Sequence, residues 1–370
     1  MVDIREQELA RKIVNHSCKV KKGEKVWVEY SETSEGFICA LLDEIFKCGG
    51  YPYLKSVDRQ YKSLIMKNAS KEYYDFLSKH DCALMNDCDC VILISGEGNS
   101  FELSNVNAEE NDLYETYYSK PVHLDIRIKK RWVLLRYPTL GFAQNARMNT
   151  HDFEDYFFKV CNLDYGKMCD AMERLRVLME KTDKVRIIAR DTNLEFSIKG
   201  MNAVKCCGEC NIPDGEIYTA PVKNSINGKI VFNIPSLYNG IEFHNIKLVF
   251  EKGRIIDFDC NEKKAFEKII NTDLGSRYIG EFAFGVNPYV DRPILDILFD
   301  EKMAGSIHMA IGNSYDDATN GNKSAIHWDL ILSQKPEFGG GEIYFDDVLI
   351  RKDGKFILPQ LIALNEENLL

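Results

Sequence analysis

The sequence predicts a mostly parallel α/β sandwich domain over residues 1–165, followed by a mixed or antiparallel, β-rich α+β domain over residues 166–370. Three observations predict it. Helical and strand patterns alternate through the first part, and its strands are apolar throughout, as a sheet covered on both faces requires. Beyond a helix-rich stretch ending near Lys181, short strands follow one another across tight turns. The length of 370 residues suits two domains at roughly 100–200 residues each.

The elements follow in order. Leu9, Ile13 and Val14 lie at helical spacing, and Lys25–Tyr30 reads as a strand. Phe37, Ile38, Leu41, Leu42, Ile45 and Phe46 form the apolar face of a helix that Gly49-Gly50 stops. A short strand near Tyr51–Ser56, a helix through Tyr73–Lys79, and strands at Cys90–Ile94 and Arg131–Tyr137 complete the first domain. The segment from His151 to Lys181 is helical, with Met168, Met172, Leu175, Leu178 and Met179 on one face. Strands are then expected at Val185–Ala189, Leu194–Ile198, Ile230–Ile234, Ile246–Phe250 and Ile255–Asp259, with one helix over Glu262–Ile270. Glu251-Lys252-Gly253 and Asp353-Gly354 are hairpin signals.

Composition excludes several function classes. Apolar residues make up 45% and charged residues 28%, values of an ordinary folded protein. A net charge of −10 opposes a broad nucleic-acid face, which needs clustered Lys and Arg. The longest apolar runs are strand-sized, short of the ~20 residues a membrane span needs. The amino terminus lacks the apolar core of an export signal, so the 12 cysteines are expected as reduced thiols in the cytoplasm.

Chemistry concentrates in the second domain. His327 and Asp329 stand two apart in a strand-like Ala325–Ile331 and project from one face, a natural divalent-metal pair. His308 lies in the unusual string Leu298–Tyr315. Glu216 follows the turn Pro213-Asp214-Gly215, and Glu281 opens the apolar Glu281–Gly285. Three carboxylates among these five residues, two divalent ions and one hydroxide would be neutral together, which suits a two-metal hydrolytic centre. Other motifs carry less. Cys206-Cys207-Gly208-Glu209-Cys210 contains a C-x-x-C without a second pair or a nearby histidine. Ser95–Ser100 lacks the third glycine of a dinucleotide loop and reads as a surface turn.

The strings NIPDGEIYTAP (Asn211–Pro221), GEFAFG (Gly280–Gly285), LFDEKMAGSIHMAIGNSY (Leu298–Tyr315) and SAIHWD (Ser324–Asp329) resemble the aminopeptidase T, aminopeptidase S and PepS family of metallopeptidases. Tyr137-Pro138-Thr139 and Ala146-Arg147-Met148 are also similar to that family, whereas the first 120 residues resemble it only loosely. The resemblance implies a cytoplasmic homodimeric aminopeptidase that cleaves the N-terminal residue from short peptides through water activated by two divalent ions. Zinc is the first expectation, with cobalt, manganese and magnesium as alternatives. It places the metal ligands at Glu216, Glu281, His308, His327 and Asp329, and an active-site tyrosine at Tyr315. Glu281 is further read as both ligand and proton carrier.

Two other readings use the same residues. His308, His327 and Asp329 alone form the two-His-one-carboxylate triad of an iron dioxygenase, and some ring-cleaving hydroxypyridine dioxygenases resemble this fold family. A non-catalytic, dimeric metal-binding scaffold is the other. Glu216 and Glu281 favour two metals, and Tyr315 favours catalysis.

Overall fold

Five parallel strands build the first sheet of the computed structural model, which describes residues 3–370. Their order is Tyr51–Ser56, Lys25–Ser31, Cys90–Ser95, Arg131–Arg136 and Asn211–Ile212. Parallel neighbours need crossovers, and helices supply them: Glu35–Lys47 follows the first strand, and Arg59–Asn68 with Lys71–Asp87 follow the second. Ser34 starts the first of these helices by accepting the Phe37 amide, and Gly49, at φ 75°, turns the chain away at its end. Phe37, Ile38, Leu41 and Ile45 are buried as the helical spacing predicts, but Phe46 is 61% exposed. One residue past Ile45 is a rotation of about 100° around the helix, which carries that ring off the buried stripe.

The chain divides into two compact units. One takes the residues up to Asn162 together with Gly208–Pro213, the other Leu163–Cys207 with Asp214–Leu370. The sequence predicts one domain over 166–370; the six residues Gly208–Pro213 instead belong to the first unit, and two of them, Asn211 and Ile212, join its parallel sheet, where Leu135 pairs with Ile212.

The second unit contains two large antiparallel sheets and a two-stranded one, Ser236–Tyr238 with Ile241–Phe243. Eight strands run in the order Arg254–Asp259, Ile246–Glu251, Asn227–Phe232, Thr192–Ser197, Lys184–Ala189, Gly341–Phe345, Val348–Lys352 and Lys355–Phe356. Both hairpin signals form turns. Lys252 and Gly253 have φ 47° and 79°, and Asp353 and Gly354 have φ 49° and 81°, the left-handed pair that a two-residue hairpin demands. The other large sheet runs His327–Ser333, Ser306–Gly312, Ile279–Gly285, Glu216–Thr219 and Val204–Cys206. Apart from the half-buried Val204–Cys206, its strands are buried almost end to end, and one face of its central strands is apolar. Phe282, Phe284, Ile307, Met309, Ile311, Trp328, Leu330 and Leu332 all point that way and are buried. No helix of the described residues is long and apolar enough to cross a membrane.

Candidate metal centre

The opposite face of this sheet is polar, and the strand register decides what meets there. Residues paired across an antiparallel ladder share a face, and alternate residues along a strand share it too. Glu281 pairs with Ala310, which pairs with Asp329, so these three form one row. Ala283 pairs with His308 and Tyr218, and Gly312 with His327. Glu216, two residues before Tyr218, stands on the same side. The register thus gathers Glu216, Glu281, His308, His327 and Asp329 from four strands onto one face. Ala283, Ala310 and Gly312 lie among them and keep the space between open.

Two triangles of donors result, and they share a residue. Glu216, Glu281 and His308 present ligand atoms within 4.8 Å of one another, and so do Glu281, His327 and Asp329. The two oxygens of Glu281 are divided between the imidazoles: Oε1 is 3.3 Å from His308 Nε2 and Oε2 is 3.3 Å from His327 Nε2. Glu216 Oε2 is 3.2 Å from His308 Nε2, and Asp329 Oδ1 is 3.5 Å from His327 Nε2. Charge-assisted hydrogen bonds settle nearer 2.7–2.9 Å. Two donors on one ion, bonded at about 2.1 Å with a tetrahedral angle, lie about 3.4 Å apart. The observed spacing is that of ligands around a cation.

The donor atoms are also prepared for one. His308 Nδ1 lies 3.1 Å from the Glu301 carbonyl and His327 Nδ1 lies 2.9 Å from the Asn313 carbonyl. A carbonyl only accepts, so each Nδ1 carries hydrogen and each Nε2 is turned to the centre, the usual arrangement of metal-binding histidines. Glu216 Oε2, His327 Nε2 and Asp329 Oδ1 are buried without a hydrogen-bond partner, which a bound ion would satisfy. Without an ion the carboxylates hold protons on the rings. Burial acts to lower His327, but Asp329 and Glu281 outweigh it and carry its pKa to about 12. His308 moves upward against burial in the same way, through Glu216 and Glu281. Divalent ions would displace those protons.

Four further side chains surround the centre: Asp214, Glu301 and Lys302, for which the sequence gives no site reading, and Cys206, which it shows only within the Cys206–Cys210 string. Glu301 shares a third triangle with His308 and Asp329. Lys302 is fully buried, with Nζ 2.6 Å from Glu216 Oε1, 2.6 Å from Glu301 Oε1 and 3.7 Å from Asp214 Oδ1. Cys206 pairs with Glu216 in the sheet and stands beside Asp214. Burial raises Glu301 to about 8, with Lys302 pulling the other way. It would raise Glu216 too, but Lys302 and His308 outweigh it and bring that carboxyl to about 2. Glu301 and Lys302 follow the single helical turn Ile297–Asp300, and Asp214 lies in the turn before Glu216, so no strand or helix periodicity points to them. The signal available was the charged pair itself, inside an otherwise apolar string.

Tyr315 lies beyond the Ser306–Gly312 strand, with its ring 4.6 Å from the His327 ring and 5.5 Å from that of Tyr218. It is 44% exposed, and the His327 side chain is 20% exposed, while the other four candidate ligands are nearly sealed. The centre is therefore open to solvent on the side of these two rings. Burial and the nearby carboxylates Glu281 and Asp329 raise the Tyr315 phenol, so it stays protonated and able to donate. Asp273 braces the approach to His327. Its carboxylate accepts from the amides of Ala325 (2.7 Å), Gly275 (2.8 Å) and Ser276 (2.9 Å) and from Ser324 Oγ (2.9 Å). The Ala325 amide above all lowers Asp273 from its ordinary 3.8 to about 2. A depressed carboxylate stabilises the fold above its unfolded pKa and loses that contribution as pH falls through its folded one. The Tm advantage of wild type over Asp273→Ala should therefore hold above about pH 4 and shrink toward pH 2; an advantage independent of pH over that window would show that charge plays no part.

Histidines and carboxylates converging with open donor atoms on a buried sheet face are a donor set that could hold metal ions. Residues 3–356 match the thermophilic metalloprotease (M29) peptidase family, and the chain belongs to that family. Aminopeptidase AmpS of Bacillus subtilis (strain 168) is 34% identical over 129 residues, covering 33% of this chain and 30% of that protein. The chain thus spans about a third of the length of the curated relatives that align first. Wild-type AmpT from Thermus thermophilus has the same fold, with a TM-score of 0.77 at 16% identity, over 96% of this chain and 99% of that one. A 2,5-dihydroxypyridine dioxygenase from Pseudomonas putida KT2440 shares the fold at a TM-score of 0.63 and 13% identity, over 96% and 98% of the two chains.

Proposed function

We propose that the chain is a metal-dependent aminopeptidase that hydrolyses the N-terminal peptide bond of short peptides, with two divalent ions held by Glu216, Glu281, His308, His327 and Asp329. The observation that carries this reading is the pair of donor triangles joined at Glu281. Charge supports the count of ions. Asp214, Glu216, Glu281, Glu301 and Asp329, offset by Lys302, leave four negative charges when all are ionised, which two divalent ions balance. Zinc suits mixed imidazole and carboxylate donors best, and cobalt and manganese accept the same set.

Bound there, divalent ions supply Lewis acidity, lowering the pKa of a water toward neutrality and polarising the scissile carbonyl. The chain's own groups do the rest. Glu281 has an imidazole at each oxygen and acts as the shared ligand, so we assign the proton to Glu301, whose buried carboxyl has the affinity to take it from the attacking water and return it to the leaving amine. Tyr315 donates its hydroxyl to the oxygen on which negative charge develops.

Elemental analysis of the native protein, with an aminoacyl-substrate panel before and after chelation, tests this. About two divalent ions per chain are expected, with chelation abolishing turnover and leaving far-ultraviolet circular dichroism unchanged, because the core does not depend on the ions. One iron per chain with oxygen-dependent cleavage of a pyridine diol would instead support the dioxygenase reading, which the likeness in fold keeps in view. Two ions without turnover on any peptide would leave the scaffold. We also propose a homodimer whose partner surface restricts the entrance to short, unfolded peptides; degradation of a folded, unblocked protein by a monomeric species would contradict it.

A further inference from the structure

We infer that the Lys302 ammonium is a resident cation filling a third cation position of the centre, framed by Cys206, Asp214 and Glu216, and that it thereby limits the centre to two divalent ions. The inference deepens the metal-centre reading above and rests on it.

The framing residues form a donor triangle of the same kind as the others. Cys206 Sγ and one oxygen each of Asp214 and Glu216 lie within 4.8 Å of one another. Backbone fixes them: Cys206 closes the Val204–Cys206 strand opposite Glu216, and Asp214 lies in the turn just before it. Beside two corners of the triangle stands Nζ of Lys302, 2.6 Å from Glu216 Oε1 and 3.7 Å from Asp214 Oδ1, on a side chain with no exposure to solvent. Burial of an ammonium is tolerated only where negative charge surrounds it, and here carboxylates do so. Glu216 consequently faces two cation positions with different oxygens. Oε1 goes to Lys302, and Oε2 is left toward His308, buried and without a hydrogen-bond partner.

Two consequences follow from charge. With Lys302 present, the surrounding carboxylates leave room for two divalent ions and no more. Once the ammonium is gone, one thiol and two carboxylates remain around a vacated volume, a mixture of donors that suits Zn²⁺ or Co²⁺.

The test is titration of the chelated full-length protein with Co²⁺. Wild type should take up two ions per chain and show no thiolate-to-cobalt charge-transfer band. Lys302→Ala should take up a third ion and gain that band, and Lys302→Ala with Cys206→Ser should lose both. A Lys302→Met variant, of similar volume and without charge, keeps the inference testable should the alanine variant fail to fold. Its chelated form should lose more Tm than its Co²⁺-loaded form, since divalent ions replace part of the missing positive charge. A lysine that serves packing alone would lower both equally. Wild type that binds no Co²⁺ sinks the metal-centre reading and this inference with it. Wild type with two ions, beside a folded Lys302→Ala that still binds two and lacks the band, or a Lys302→Met whose two forms fall together, overturns this inference alone.

Discussion

Glu281→Gln is expected to release the ions and abolish turnover together, whereas Glu301→Gln is expected to keep both ions and lose turnover alone. Glu281 joins the triangle of Glu216 and His308 to that of His327 and Asp329, with an oxygen 3.3 Å from each imidazole Nε2. Glutamine offers one oxygen and turns an NH₂ toward the other ring, so a shared ligand becomes a ligand to one side and a repulsive donor to the other. The lost negative charge also leaves the ions under-compensated in a buried site. Glu301 is different: its carboxyl lies within reach of His308 and Asp329 but outside the triangles joined at Glu281. Its amide keeps the shape and removes the proton acceptor, so kcat should fall by about 10²–10⁴-fold, the usual worth of a positioned base. Metal content after desalting and steady-state kinetics on both variants decide the matter. Glu281→Gln with two tightly held ions would refute the shared ligand, and Glu301→Gln without metal would make Glu301 a ligand in place of the base.

Why these two glutamates were unequally visible in the sequence has a physical answer. Glu281 lies in an apolar strand, Ile279–Gly285, and a carboxylate in such a place is costly to desolvate unless a positive charge meets it. His327 and Asp329 announce themselves through the two-residue period of a strand, and their strand does form, beginning at His327. What spacing alone could not supply is register. Glu281, His308 and Asp329 meet because Glu281 stands opposite Ala310 and Ala310 opposite Asp329, a relation between three strands that no window of sequence contains. The resemblance to known metallopeptidases brought these residues together before any pairing was known. Residues in turns escaped for another reason. Asp214, Glu301 and Lys302 obey no period, and Glu301-Lys302 reads in isolation as an exposed charged pair. In the first unit the alternation of helix and strand was legible from apolar runs. The ten-residue π-helical segment Glu115–Leu124, with Pro121 inside it, was not, because proline within a run argues against a helix and tertiary packing of Tyr118 and Val122 holds it nonetheless. The return of Asn211–Ile212 to the parallel sheet was equally hidden, since two residues are too few to display a pattern.

Replacing Tyr315 by Phe should lower kcat by about 10²-fold, on the scale of one lost oxyanion donor, and leave metal content and KM near wild type. The Tyr315 ring stands beside two other rings at the edge of the centre. It packs against His327 at 4.6 Å and Tyr218 at 5.5 Å, contacts that phenylalanine reproduces, so the approach to the centre keeps its shape. The hydroxyl has a different role. Tyr218, its neighbour, commits its own hydroxyl to both oxygens of Asp317 at 2.9 Å, but no such bond to protein is made by Tyr315 among the described residues. Burial and the nearby carboxylates Glu281 and Asp329 keep the Tyr315 phenol protonated, so it can give a hydrogen bond and has no tendency to ligate an ion as phenolate. An interaction that forms only as negative charge grows on the substrate oxygen raises kcat without tightening ground-state binding, hence the unchanged KM. Loss of metal in Tyr315→Phe would make the hydroxyl a support of the ligand His327. A variant with full turnover would mean that the developing charge is held without it, and that the exposed ring serves only to shape the entrance.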